Sequence, residues 1–534
     1  MRKKGIILLL ALTGLFISCN DAIDIKQPGE QNNEYDVFRN AADIKRGISG
    51  IYIALPGESE IAFSSVFTDE VSIGRDNGGQ GLISGEYGFF MQPGNAYATG
   101  FWDSYYGIIN RVNRLIILTD DLLETASGDE LRALKDNKAE LLGLRAYANL
   151  KLFSYYTPDY TNPAGLSIMK VDFVPSATSL TEHVGRSTVS EISKFIIDDI
   201  DEALATRQST WNQLHYYYLT AGVLNSMKVK LYSMTQNYTE MIPLAEDILT
   251  GGVYRFATAS EYVSMFEKDP NQPSSELIFK LARPLGSGGA VASAWYSGAV
   301  GINGSFFYEM GRSLYNSLDE LDPSNFGTDF TVARNDVRYK VNLQTGTSVA
   351  TNYNSLPQAQ YVAQDILLIG KYKGQSGAFP ASQKNDIPVI RISDIALLLA
   401  EARATNGQIA LSSTDPDDIV GNYSTVANII YNIRYFRSNN GQVVMPTITS
   451  TASAFDAILN ERKVEFAFEG HRYLDMKRLG QRANSLGFQR YAKDCIVNGT
   501  CDGLPADSYK LTMPIPTTEL NSNSIIRGQQ NPGY

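Results

Sequence analysis

Between residues 461 and 478 the chain reads Glu461-Arg462-Lys463-Val464-Glu465-Phe466-Ala467-Phe468-Glu469-Gly470-His471-Arg472-Tyr473-Leu474-Asp475-Met476-Lys477-Arg478. Glu461, Glu465 and Glu469 recur every four residues, the spacing that puts side chains on one face of a helix. Val464, Phe468, Tyr473 and Leu474, with Phe466 at the flank, give an apolar side at roughly helical spacing. Like charges so placed repel by about 0.2–0.5 kcal/mol per pair on an isolated helix. A fold that contains this stripe must therefore bring cations to it. Arg462, Lys463, Arg472, Lys477 and Arg478 supply some locally, and other helices can supply the rest. A di-iron helix would need Glu-x-x-His, but Phe468 follows Glu465 by three and Arg472 follows Glu469 by three. The only histidines, His183, His215 and His471, make no His-x-x-x-His pair. The stripe reads as an ion-pair lattice on a helix running from Ala452 to about Ala483, because charges inside proteins are paired.

The motif Glu461-Arg462-Lys463-x-Glu465-x-x-x-Glu469-Gly470-x-Arg472-x-x-Asp475-x-x-Arg478 resembles the hallmark helix of the SusD/RagB family, the surface glycan- or nutrient-binding lipoproteins of Bacteroidetes. The resemblance extends to Met513-Pro514-Ile515-Pro516-Thr517-Thr518-Glu519-Leu520 and to Gln530-Asn531-Pro532-Gly533-Tyr534. It continues in Phe101-Trp102-x-x-Tyr105, Leu144-Arg145-Ala146-Tyr147 and Arg391-Ile392-x-Asp394-Ile395-x-Leu397-x-x-Ala400-Glu401-Ala402. It implies a mainly α, SusD-like fold, with tetratricopeptide-type helical hairpins forming a curved wall beside an irregular, loop-rich subdomain with few strands. It also implies an outer-membrane lipoprotein that binds oligosaccharides and delivers them to a SusC-like TonB-dependent transporter. The RagB branch implies a peptide-binding alternative.

The leader agrees with an anchored protein. Met1-Arg2-Lys3-Lys4 is a charged start, and Ile6 to Ile17 is an apolar run too short to span a bilayer. It ends in Phe16-Ile17-Ser18-Cys19, close to a lipoprotein cleavage box in which Cys19 becomes the acylated first residue. Residues 1–18 are thus expected to be a signal peptide, 19–38 a lipidated tether and 39–534 a single domain. Cys495 and Cys501 can close a small disulfide loop after export. Zinc would need about four ligands, and this loop offers two sulfurs with no nearby histidine. A formal charge of −11 argues against nucleic acid, which wants a basic footprint.

Helical patterning is expected over Ala41 to Leu55, Phe101 to Leu123, Asp129 to Tyr156, Thr188 to about Ala205, Leu214 to Thr235, Tyr238 to Leu249, Ile390 to Asn406 and Tyr423 to Ser438. Ser127-x-x-Glu130 and Thr188-x-x-Glu191 are capping boxes in outline. These helices make a scaffold over 39–252 and 390–534. Residues 253–389, punctuated by Pro, Gly, Ser and Asn, form the irregular ligand-side part, and Glu58 to Gly100 reads as one long glycine-rich loop.

Sugar rings present apolar C–H faces and a rim of hydroxyls, so they call for flat aromatic platforms beside a few polar groups. Two loops carry that mixture. One holds Arg75, Asp76, Asn77, Tyr87, Phe89, Phe90, Gln92, Asn95 and Tyr97. The other, Leu285 to Tyr308, holds Trp295, Tyr296, Asn303, Phe306, Phe307 and Tyr308. Trp295 and Tyr296 are the leading platform candidates, followed by Tyr87, Phe89 and Phe90, with Arg75, Asp76 and Asn77 as polar contacts. Trp102 begins a helix and is assigned to packing, while Trp211 in its polar turn stays open between packing and binding. No Gly-x-Ser-x-Gly, His-Glu-x-x-His or Walker motif occurs. No metal site and no cofactor are expected. A surface glycoside hydrolase would need two carboxylates across a cleft, for which Asp69-Glu70 or Asp319, Glu320 and Asp322 are the nominees. The expectation is a binding protein without catalytic residues.

Overall fold

The computed structural model describes residues 37–79, 85–175, 184–267, 273–284, 290–297, 305–322, 334–372, 384–495 and 503–534. Cys19, Cys501 and Asn303 lie outside these residues. Helices dominate the described chain, and its eight short strands make four two-stranded antiparallel pairs.

The scaffold is built from paired helices. Ala41–Ala54 buries Ile44, Ile48 and Ile51 against Ala96–Leu123 and Gly128–Tyr156. Gly128–Tyr156 packs in turn on Val189–Thr206, and Ala221–Met234 on Tyr238–Thr250 and Ile392–Thr405. Val426–Arg437 and Thr451–Glu465 complete this wall. The Thr188–Glu191 capping box forms at the start of Val189–Thr206. The one outlined at Ser127 does not: Glu130 instead accepts from the Ala41 backbone N–H at 2.6 Å, tying two helices together. The Leu214–Thr235 helix starts only at Ala221, because residues 212–218 turn back on themselves through bonds from His215 N to Asn212 O and from Tyr218 N to His215 O.

The stretch between residues 58 and 100 is more ordered than a single loop. It contains the helix Glu58–Phe67, strand β1 (Val71–Ile73) and the first turns of Ala96–Leu123. Further along are β2 (Leu166–Met169) paired with β3 (Arg186–Thr188), and β4 (Leu277–Leu281). The hairpin of β5 (Tyr296–Ser297) and β6 (Ser305–Phe306) follows, then β7 (Tyr308–Met310) and β8 (Ile387–Arg391). β1 pairs with β7 in the register Val71–Met310, Ser72–Glu309 and Ile73–Tyr308, and β4 pairs with β8.

The acidic stripe is broken where a continuous helix was expected. Thr451–Glu465 ends, the chain turns with Phe468 at φ 61° and Gly470 at φ 83°, and Arg472–Leu479 begins. Only Glu461 and Glu465 therefore share a helical face. Glu469 sits in the turn and still joins the same lattice, whose cations come from distant elements. Arg338 Nη1 lies 2.6 Å from Glu461 Oε1, and Arg434 Nε 2.7 Å from Glu461 Oε2. Arg391 and Arg437 approach Glu465 Oε1 at 2.7 and 2.8 Å, and both also pair with Glu276. Glu469 receives Lys371 at 2.7 Å and both Nε and Nη2 of Arg391 at 2.9 Å. Burial alone would raise the Glu465 carboxyl, but Arg437 and Arg391 hold it well below its ordinary value. The local cations face elsewhere: Arg462 meets Asp394 and Asp475, Arg472 meets Asp69, and Arg478 meets Glu401.

The C-terminal tail finishes the wall. Met513 N donates to Tyr155 O at 2.9 Å, and Asn531 Nδ2 donates to Tyr156 O at 2.9 Å and Met513 O at 2.7 Å. Lys477 Nζ donates to Ser154 O and Thr157 O at 3.1 and 2.7 Å. These groups satisfy carbonyls that the end of Gly128–Tyr156 would otherwise leave open, and a cation there suits the helix dipole.

Replacing Glu465 by alanine strips Arg391 and Arg437 of a buried counter-charge. We expect a loss of about 3–5 kcal/mol, read as a lower urea midpoint, whereas exposed Lys194→Ala at the Lys194–Asp198 pair costs less than about 1 kcal/mol.

Candidate ligand-binding site

The β1–β7 pairing brings the two aromatic loops of the sequence together. Gly74 N donates to Phe307 O at 2.9 Å, Asp76 N to Phe306 O at 3.0 Å, and the Asp76 carboxylate accepts from Phe306 N at 3.0 Å. A Cβ on Gly74 would come within 2.5 Å of the Phe306 carbonyl oxygen, so only glycine permits this approach. Segment 85–90 joins through Tyr87, whose ring stacks on Tyr308 with centroids 6.0 Å apart.

At this junction Arg75 and Asp76 are exposed and form an ion pair at 3.3 Å, with the Arg75 guanidinium 5.5 Å from the centre of the Phe306 ring. Phe307 and Phe90 are half-buried. The exposed edge thus offers a planar cation, a carboxylate and the half-open ring of Phe307, the chemical types that hydroxyls and C–H faces engage. Asn77 is not part of that edge. It is buried, its Nδ2 donating to Phe307 O at 3.0 Å and its Oδ1 accepting from Gly79 N at 3.1 Å, so it fastens the two loops.

The expected platforms are corrected by burial. Trp295 is 0 % exposed, Tyr296 1 %, Tyr87 1 % and Phe89 6 %, so none presents a face to a ligand. Trp295 lies edge-on to Phe468 at 5.3 Å and near Tyr372, both from segments distant in sequence. Tyr296 packs on Phe306. Phe89 packs on Phe67 and Phe488, and the Arg490 guanidinium lies 3.8 Å from the Tyr87 ring centre and 4.3 Å from that of Phe89. Arg490 also donates to the carbonyls of Val66, Thr68 and Tyr87. These rings hold the two loops to the body. Trp102 is packed as expected, against Tyr106 and Tyr156. Trp211 is half-buried under Arg207, whose guanidinium lies 4.3 Å from its ring centre.

Of the carboxylates nominated for hydrolysis, Asp69, Glu70, Asp319 and Asp322 are buried, while Glu320 is exposed. Asp69 receives Arg472 Nε and Nη2 at 2.7 and 2.8 Å. Burial opposes its charge, but Arg472 and Lys463 bring the carboxyl down to about 2. Glu70 accepts the Phe468 N–H at 2.9 Å, and burial pushes it up to about 7. Asp319 pairs with Arg334, and Asp322 accepts the Asn335 N–H. Cys495 is buried and disulfide-bonded.

Two cavities lie away from this edge. One of about 90 Å³ sits beneath the helix break, lined by Lys151, Lys230, Asp394, Arg462 and His471. It is below the ~300 Å³ lower end of small-molecule sites. The other, about 380 Å³, runs along the helical wall between Tyr160, Ser193 and Tyr232. Its lysine, Lys194, is already paired with Asp198.

Comparison with known proteins shows a likeness in part of the sequence and in the fold. Residues 305–534 match the SusD family model. The chain is 21% identical over 568 residues to SusD-like protein P2 of Formosa agariphila, covering 99% of this chain and 98% of that protein. A SusD superfamily structure from Bacteroides thetaiotaomicron VPI-5482 superposes with a TM-score of 0.68 at 22% identity, over 92% of this chain and 100% of the other. A SusD-like carbohydrate binding protein from Bacteroides fragilis NCTC 9343 superposes at 0.67 with 16% identity, over 92% and 100%.

Trp295→Ala should cost stability, about 3–5 kcal/mol as for a large aromatic removed from a core, seen as a lower urea midpoint. A variant as stable as the parent would return Trp295 to the surface.

Proposed function

From a chain that is SusD-like by its family match over residues 305–534 and by its fold, we propose a protein that binds oligosaccharides at the edge formed by Arg75, Asp76 and Phe307. The observation that carries this reading is the β1–β7 join. It sets an exposed guanidinium–carboxylate pair beside a half-open phenyl ring, on loops fixed from below by Asn77, Tyr87 and Arg490. A site fixed before the ligand arrives does not spend binding energy on ordering its loops. The Bacteroides fragilis protein of the same fold is described as carbohydrate binding, which supports the ligand class.

The rest of the proposal follows the lipoprotein reading. Cys19 carries the lipid, the tether spans from membrane to body, and the captured oligosaccharide passes to a SusC-like TonB-dependent transporter in the outer membrane. Among the described residues no helix is long and apolar enough to cross a membrane. The role is capture and delivery without bond cleavage, since Asp69 and Glu70 are engaged by Arg472 and the Phe468 N–H inside the core.

Calorimetry against a panel of oligosaccharides tests the site. Arg75→Ala should weaken binding by about 1.5–3 kcal/mol, the value of hydrogen bonds to a charged group. Phe307→Ala should weaken it by about 0.5–1.5 kcal/mol. Both variants should keep the parent's urea midpoint within about 1 kcal/mol. Unchanged affinity in both would remove this edge from the site. Separately, Cys19→Ser should shift the protein from the membrane fraction to the soluble fraction, and retention in the membrane would end the anchor proposal.

A further inference from the structure

Beneath the β1–β7 join lies a cavity of about 20 Å³, room for a single water. It is lined by Ser72, Glu309, Tyr361, Asp365, Lys493 and Asp494. Three of these are carboxyl groups from three separate elements: Glu309 on β7, Asp365 just after the helix Gln358–Gln364, and Asp494 in the short helix Ala492–Cys495. All three are buried.

Their partners are mostly neutral donors. Glu309 accepts from Leu367 N at 3.2 Å. It is also bonded by the backbone of Arg75, the residue at the ligand edge. Asp494 accepts from Arg312 N at 2.9 Å and from Tyr361 Oη at 2.5 Å, while its own carbonyl accepts from Tyr87 Oη at 3.1 Å. Asp365 Oδ1 accepts from Ala350 N at 2.9 Å and from Arg312 Nη1 at 2.7 Å, but its buried Oδ2 has no hydrogen-bond partner.

The cations packed around the cluster are Arg312, Lys493 and Arg490. Arg312 contacts Asp365 directly. Lys493 Nζ donates to the carbonyls of Tyr353, Asn354 and Leu356 at 2.7–2.8 Å, and Arg490 donates to those of Val66, Thr68 and Tyr87. Lys493 and Arg490 offset part of the charge from a distance, but among the described residues an ion pair reaches only Asp365. Glu309 and Asp494 are left buried without a directly paired cation, which makes their ionised forms costly, and a proton removes that cost. Among the described residues no three such side chains are placed to share one metal ion.

We propose that Glu309, Asp365 and Asp494 form a proton-binding site which, when loaded, locks β7 to Ala492–Cys495 and so fixes the strand pair that leads into Arg75 and Asp76. A proton on one of these carboxyls lets it donate to the open Asp365 Oδ2 or to a water in the cavity, turning an acceptor-only cluster into a satisfied one. Burial pushes Glu309 up to about 8 and Asp494 up to about 7, and raises Asp365 as well. The folded state therefore binds protons that the unfolded chain has released. The stabilisation is complete below the ordinary carboxyl range near 4 and is lost as pH rises through about 7 to 8.

This inference stands on the burial of Glu309 and Asp494 without a paired cation beside the open Asp365 Oδ2, and is independent of the oligosaccharide reading. It is tested with the full chain by urea midpoints at about pH 6 and about pH 9, in the parent, in Glu309→Gln and in Asp494→Asn. The parent midpoint should fall over that interval. The fall should shrink in each variant, and what remains belongs to other buried groups, among them Glu70, itself pushed to about 7. If Glu309→Gln does not fold, Asp494→Asn carries the comparison. A parent midpoint that does not change, or an undiminished fall in the variants, overturns the proposal. So does a fall abolished by millimolar calcium in the parent but not in Glu309→Gln, which would make the site one for a cation.

Discussion

The fold depends on a buried lattice of charge. Glu276, Asp336, Glu461, Glu465 and Glu469 meet Arg338, Lys371, Arg391, Arg434 and Arg437 across elements that lie far apart in the chain. Apolar side chains of equal volume would stabilise the same contacts as well or better. What the lattice adds is discrimination, because any element seated out of register strands a bare charge in the interior. The helical wall, strand β8 and the irregular 253–389 region are thereby made to agree on one arrangement.

Part of this was legible in the sequence. Carboxylates at four-residue spacing on an apolar background announced that cations must converge on 461–469, and the pairing of helices followed from their lengths and apolar stripes. The helix break was not legible. Gly470 was its visible sign, but Phe466 and Phe468 keep the apolar rhythm going across it, and the left-handed backbone at Phe468 leaves no trace in composition. The identity of the cations was equally hidden. Arg338 and Lys371 come from a region with no helical period, where nothing local tells a lattice arginine from a surface one.

At the proposed binding edge the loops were legible and the roles of their residues were not. Arg75, Asp76, Phe306 and Phe307 were picked out by their chemistry, and the structure does join the two loops. Trp295 misled because a ring in a Gly/Ser/Ala-rich loop has no local face to fill. Its burial is decided by Phe468 and Tyr372, supplied from elsewhere in the chain. The rings that remain half-open, Phe307, Phe90 and Tyr97, are those left over once Tyr87, Phe89 and Tyr296 have been used for packing.

The tail contacts have a temporal side. The carbonyls at the end of Gly128–Tyr156 are met by Lys477, Met513 and Asn531, all encoded more than three hundred residues downstream. Until these downstream residues dock, that helix end keeps its carbonyls open to water. Early and late parts of the chain thus close a single structure, and removing the last residues would uncover a helix end made nearly four hundred positions earlier.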